Sequence, residues 1–127
     1  MIYFLKYIFN ISVLTLIVLS LFPGSLLGFF FYGDFGQQPD LIENPFGTTI
    51  NHFLSYSCVS ILGLFVYSSN KKFNLILYQL LFLSVILEIL QLIIPNRAFQ
   101  LGDLIGNILG VLVAYFLVKI YLYIKKL

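Results

Sequence analysis

Charge is scarce in this chain. Only 9% of its 127 residues are Asp, Glu, Lys or Arg, against roughly 25% in an ordinary soluble domain. Hydrophobic residues make up 61%. That leaves too little polar surface to cover a fold in water, so the bilayer is the better solvent. Cysteine is nearly absent as well. The lone Cys58 excludes an intrachain disulfide, and no Cys/His metal-ligand spacing exists. Lying in an apolar run, Cys58 reads as a small buried packing residue. The net charge of +2 comes from basic residues that are not grouped on one face with stacking aromatics, which argues against a nucleic-acid partner. There is no serine or cysteine nucleophile motif, no internal repeat and no low-complexity segment. Nothing points to a cofactor.

What is present is a set of long apolar runs. The first, from Tyr3 to Phe22, ends at the breaker pair Pro23-Gly24. Lys6 ahead of such a run resembles the start of a signal peptide, but no small-x-small cleavage site follows, and the expectation is a retained helix. The second run covers Ile50 to Ser68, the third Phe73 to Ile94 before Pro95, and the fourth Asp103 to Tyr123. Each is near the roughly 20 residues that a helix needs to cross the hydrocarbon layer. The expected fold is an all-α membrane protein: one domain over residues 1–127, with four transmembrane helices in a compact bundle.

Six of the seven basic residues fall on one side of that topology. Lys6 lies near the start of the first span, Lys71 and Lys72 join the second to the third, and Lys119, Lys125 and Lys126 lie at the end of the fourth and close the chain. The positive-inside rule puts that side, and both termini, in the cytoplasm. Asp34, Asp40, Glu43 and Arg97 then lie outside. The outer loop from Gly24 to Thr49 opens with Phe29, Phe30, Phe31, Tyr32 and Phe35, rings that favour the headgroup level. Pro39, Pro45, Gly33, Gly36 and Gly47 argue against a further span. The loop reads as a membrane-hugging connector, or as a lid over a lipid-facing site.

The few polar residues inside the spans gather toward the outer ends. His52 lies at the outer mouth of the second span, with Ser55, Tyr56, Ser60, Gly63 and Tyr67 on its face at 100° per residue. Glu88 and Gln91 share a face of the third span, with Ser84 a turn below. A carboxylate at that depth is costly unless paired, hydrated or protonated. Asp103 and Asn107 share a face of the fourth span, and Asp103 is placed to cap its N-terminus. Gly102, Gly106 and Gly110 form a small-residue ridge suited to close helix packing. Arg97, between the third and fourth spans, is suited to a two-pronged grip on a carboxylate or phosphate. Glu88, Asp103 and a lipid phosphate are its candidate partners.

Three spans thus bring His52, Glu88, Gln91, Arg97, Asp103 and Asn107 to one level. They form either a polar lock between helices or a site for a polar headgroup. In the second case Arg97, Gln91, Asn107 and Tyr56 are candidate ligand-binding residues, and His52, Glu88 and Asp103 are candidates for acid–base work.

The ordered set His52-Phe53-x-x-Tyr56, Glu88-x-x-Gln91, Pro95-x-Arg97 and Asp103-x-x-x-Asn107-x-x-Gly110, with Leu19-Ser20-Leu21-Phe22-Pro23 ahead of it, resembles the VanZ-like family of small bacterial membrane proteins. Family members often carry Asp-Lys just ahead of the histidine, where this chain has Thr48 and Thr49. The resemblance implies a four-span bundle in the bacterial cytoplasmic (inner) membrane and a link to the cell envelope. The founding member is tied to low-level resistance to teicoplanin, a lipid-tailed glycopeptide. Three functions follow as expectations. The first is binding of a membrane lipid, lipid-linked or glycolipid headgroup; the second is enzymatic action on such a lipid; the third is a structural or assembly role.

Overall fold

The computed structural model describes residues 2–68 and 71–126. These form five helices: α1 (Ile2–Leu21), α2 (Leu26–Tyr32), α3 (Thr49–Val66), α4 (Phe73–Leu90) and α5 (Leu101–Ile124), with no strand among the described residues. All but α2 are long and apolar enough to cross a membrane. At ~1.5 Å per residue they match a hydrocarbon layer about 30 Å thick.

Breakers end the helices close to where the sequence places them, with one exception. The third span is expected to reach Ile94, yet α4 stops at Leu90. The amides of Gln91, Leu92 and Ile93 bond carbonyls three residues back, on Glu88, Ile89 and Leu90. This tighter winding finishes many helices. Pro95 also holds its predecessor out of the helical region. Gln91 therefore sits at the cap of α4. At the other end of the connector, α5 starts at Leu101, two residues ahead of Asp103.

The glycine ridge of α5 explains why α3 and α5 form the central pair. A Cβ on Gly106 would come within 2.7 Å of the Thr49 carbonyl oxygen, and one on Gly110 within 2.6 Å of the Phe53 carbonyl oxygen. The two backbones touch, as packing in lipid favours. Around that contact lie Leu64, Val111, Ala114, Leu80 and Leu87. α1 is peripheral and buries only Phe9 and Leu16. The Phe9 ring fills the notch left by Gly63 and meets Tyr67 edge-on at 6.1 Å.

The segment between α1 and α3 folds back on itself, and its helix α2 has only 7 residues. Ser25 caps α2 by accepting from the Gly28 amide at 2.9 Å. Its own amide donates to the Phe35 carbonyl at 2.7 Å, and Phe35 stacks on Phe29 with centroids 4.3 Å apart. The Gln37 carbonyl occupies the space a Cβ on Gly28 would need. Asn51, in the first turn of α3, clamps the rest: its side chain donates to the Pro39 carbonyl at 2.7 Å and accepts from the Leu41 amide at 2.9 Å.

One packing expectation is overturned. Cys58 is exposed. Ser57, Ser60 and Leu64 face into the bundle. The 100° step per residue then turns Cys58 toward the gap between α3 and α1.

Candidate functional site

The close α3–α5 contact brings the start of α3 against the first turn of α5. Asp103 lies in that turn, where the helix dipole favours its charge. It is not the helix cap, however; Gln100 holds that position without a side-chain bond. The Asp103 carboxylate instead accepts from the Thr48 hydroxyl at 3.0 and 3.2 Å and from the Thr49 hydroxyl at 3.1 Å. These two threonines mark a departure from the family pattern, and the sequence offered no signal for their role.

His52 stands one turn further along α3. Its Nε2 is 3.4 Å from Asp103 Oδ2. Its Nδ1 is 2.9 Å from Asn107 Oδ1 and 3.9 Å from Glu88 Oε2. The Asn107 amide nitrogen donates to the Ser84 carbonyl at 3.3 Å and to Glu88 Oε2 at 3.5 Å. Two acceptors on that side assign its nitrogen there and its oxygen to His52. His52 Nδ1 therefore carries a hydrogen. Glu88 is 1% exposed, and its Oε1 accepts from the Gln100 amide at 3.0 Å. It serves one of the free N–H groups at the start of α5.

Arg97 has different partners from those the sequence suggests. Its Nε donates to the Phe22 carbonyl at 3.0 Å and its Nη2 to the Leu19 carbonyl at 2.6 Å. Gln91 Nε2 donates to the Ser20 carbonyl at 3.2 Å. The last carbonyls of α1 lack intrahelical donors and carry the negative end of its dipole, so a cation settles there. A β-turn aims it: the Arg97 amide bonds the Ile94 carbonyl at 3.2 Å, with Pro95 second and Asn96 third at φ 60°, the left-handed position that asparagine tolerates. No ion pair joins Arg97 to Glu88 or Asp103 among the described residues. Burial pulls the Arg97 guanidinium below its usual pKa, while the charges of Glu88 and Asp103 pull it back up.

A cavity of about 490 Å³ lies between α1, α3 and the folded-back segment that joins them. His52, Tyr56, Gln91 and Arg97 line it. Ile11, Leu16, Leu27, Leu54 and Val59 add apolar surface, with Ser12 and Thr15 of α1 among them. Gln38, Pro39 and Leu41 wall it from the segment between α1 and α3, so that segment is part of the enclosure as well as a connector. Ser55, expected to face into the bundle, is exposed and lines the cavity with Cys58.

The expected residues are therefore divided between two layers. His52, Tyr56, Gln91 and Arg97 meet the cavity. Glu88, Asp103 and Asn107 are 1%, 3% and 1% exposed and stand behind His52, which touches both layers. Tyr56 is 2% exposed, and its hydroxyl, like that of Ser60, is buried with no hydrogen-bond partner among the described residues. The front layer can bind an anion and donate neutral hydrogen bonds. The back layer fixes the orientation of the imidazole and can exchange a proton with it.

A family model described as VanZ/LLP1 matches residues 3–122. No curated protein and no solved structure matches the chain.

Proposed function

The chain belongs to the VanZ/LLP1 family and has that family's membrane-protein fold, and from this premise we propose that it binds the headgroup of a lipid or lipid-linked molecule in the cavity between α1 and α3. The observation that carries this reading is the shape and polarity of the cavity. Its volume of about 490 Å³ falls in the range of ligand sites. A cation and neutral donors share its wall with many aliphatic side chains, the mixture that an amphiphile requires. Arg97 holds an anionic group with the donors it does not spend on α1, Gln91 adds a hydrogen bond, and the aliphatic side chains take the start of a chain. We place the site at the outer leaflet of a bacterial cytoplasmic membrane. There, altered sensitivity to lipid-tailed glycopeptides is the expected physiological consequence.

The pairing of His52 with Asp103 favours one alternative, in which the imidazole moves a proton on the bound lipid and the protein is an enzyme. A single experiment addresses both. The full chain is purified in a mild detergent, and the lipid it carries is identified and quantified by native mass spectrometry. The wild type retains an anionic lipid. Ser55→Trp fills the cavity from an exposed position without removing a bond and lowers occupancy about tenfold or more. Arg97→Gln does the same, with its melting measured alongside because it also uncaps α1. Wild-type occupancy in Ser55→Trp would falsify the binding reading. Conversion of added envelope lipids by the wild type but not by His52→Gln would favour the enzyme.

A further inference from the structure

Two carboxamides face outward from the spans where the bilayer offers them nothing. Asn10 in α1 and Gln79 in α4 are exposed. Neither has a hydrogen-bond partner among the described residues. Both line a second groove, about 460 Å³, between α1 and α4 toward the Lys72 end, together with Tyr67, Leu75 and Phe82. Asn10 follows the start of α1 by about eight residues and Gln79 follows the start of α4 by about six, which is ~12 and ~9 Å along helices that begin on the same side of the membrane. The amides thus stand at nearly one depth, within the acyl-chain layer. There a phospholipid presents only hydrocarbon, and an unpaired amide is strongly disfavoured.

We propose that this groove is the interface of a parallel dimer, formed with a second copy of the chain about a two-fold axis along the membrane normal. A carboxamide is both donor and acceptor, so two of them satisfy each other. An isologous two-fold contact brings each surface against its own copy. Because the depths match, the axis sets Asn10 of one copy against Gln79 of the other, twice over. Apart from Lys72 at its end, the other lining residues of the groove are apolar or aromatic, which suits side-chain packing between helices. Interhelical amide bonds of this kind hold membrane helices together.

The test uses full-length chain labelled at its N-terminus with donor or acceptor dye and reconstituted in phosphatidylcholine–phosphatidylglycerol vesicles over a range of protein-to-lipid ratios. Energy transfer in the wild type falls on dilution with a defined midpoint. Asn10→Leu or Gln79→Leu, each at home in lipid, shifts that midpoint to protein densities roughly 3- to 30-fold higher, and the double variant shifts it further. Asn10→Gln keeps an amide in place and stays near the wild type. A wild type that remains monomeric at every density overturns the proposal, whether lipid or another protein covers the groove. So does a double leucine variant that dimerises as tightly as the wild type.

Discussion

Asn107 joins three groups, the His52 Nδ1–H, the Glu88 carboxylate and the Ser84 carbonyl, and is the hydrogen-bond partner of both His52 Nδ1 and Glu88 Oε2. Leucine is close to it in size and offers none of those bonds. Each buried polar group left without a partner costs about 1–3 kcal/mol, so Asn107→Leu is expected to destabilise the protein by about 2–4 kcal/mol in reversible unfolding with SDS in mixed micelles. Ser60 supplies the contrast. Its hydroxyl is fully buried and has no partner among the described residues. Ser60→Ala removes an unsatisfied group, and the same measurement should show no loss or a small gain. If the two variants behaved alike, the polar layer would not be the source of the stability assigned to it. At this scale the sequence carried residue types further than partners. Helical spacing put His52, Glu88 and Asn107 within reach of one another. Nothing in spacing could send Arg97 to the carbonyls of α1, because that contact depends on the turn at Asn96 and on where a helix 75 residues away happens to end.

The helices themselves were legible wherever a run met a breaker. The small-residue ridge of α5 also showed in the sequence as one glycine every four positions. Its partner did not, because any neighbouring helix can occupy such a ridge. The contacts rank the three glycines. A methyl on Gly110 or Gly106 would press on backbone carbonyls of α3, which cannot rotate away, whereas one on Gly102 would meet only the Thr49 hydroxyl, at 2.7 Å. Overpacking of this sort costs about 1–3 kcal/mol, set against the roughly 1 kcal/mol that alanine gains over glycine in a helix. Gly110→Ala and Gly106→Ala should therefore lower stability, with Gly102→Ala the mildest of the three in the same unfolding assay. Equal effects at all three positions would mean that the α3–α5 contact yields more easily than its geometry implies. The early stop of α4 was hidden because a tightened last turn leaves an apolar run, Leu92 through Ile94, that reads as more helix.

For the molecule as a whole, the lysine distribution predicts that both termini face the cytoplasm. A fluorescent protein that matures only in the cytoplasm should light up when fused to either end, and alkaline phosphatase at the same positions should stay inactive. The reverse pattern would turn the 490 Å³ cavity toward the opposite leaflet. That cavity was the least legible feature of all. α1 is apolar on nearly every side, so its sequence has no periodicity to say which face meets α3 or how much space it leaves there. The structure places α1 at the edge of the bundle, seated on Phe9 at one end and held at the other by Arg97 and Gln91. This arrangement also sets an order of events during synthesis. α1 leaves the ribosome first, yet Arg97 lies 78 residues after the carbonyl of Leu19 that it holds. At roughly 5–20 residues per second, the first helix spends on the order of 4–16 s in the bilayer before its outer anchor exists. It must therefore be stable in lipid alone, and its nearly all-round apolar surface meets that requirement.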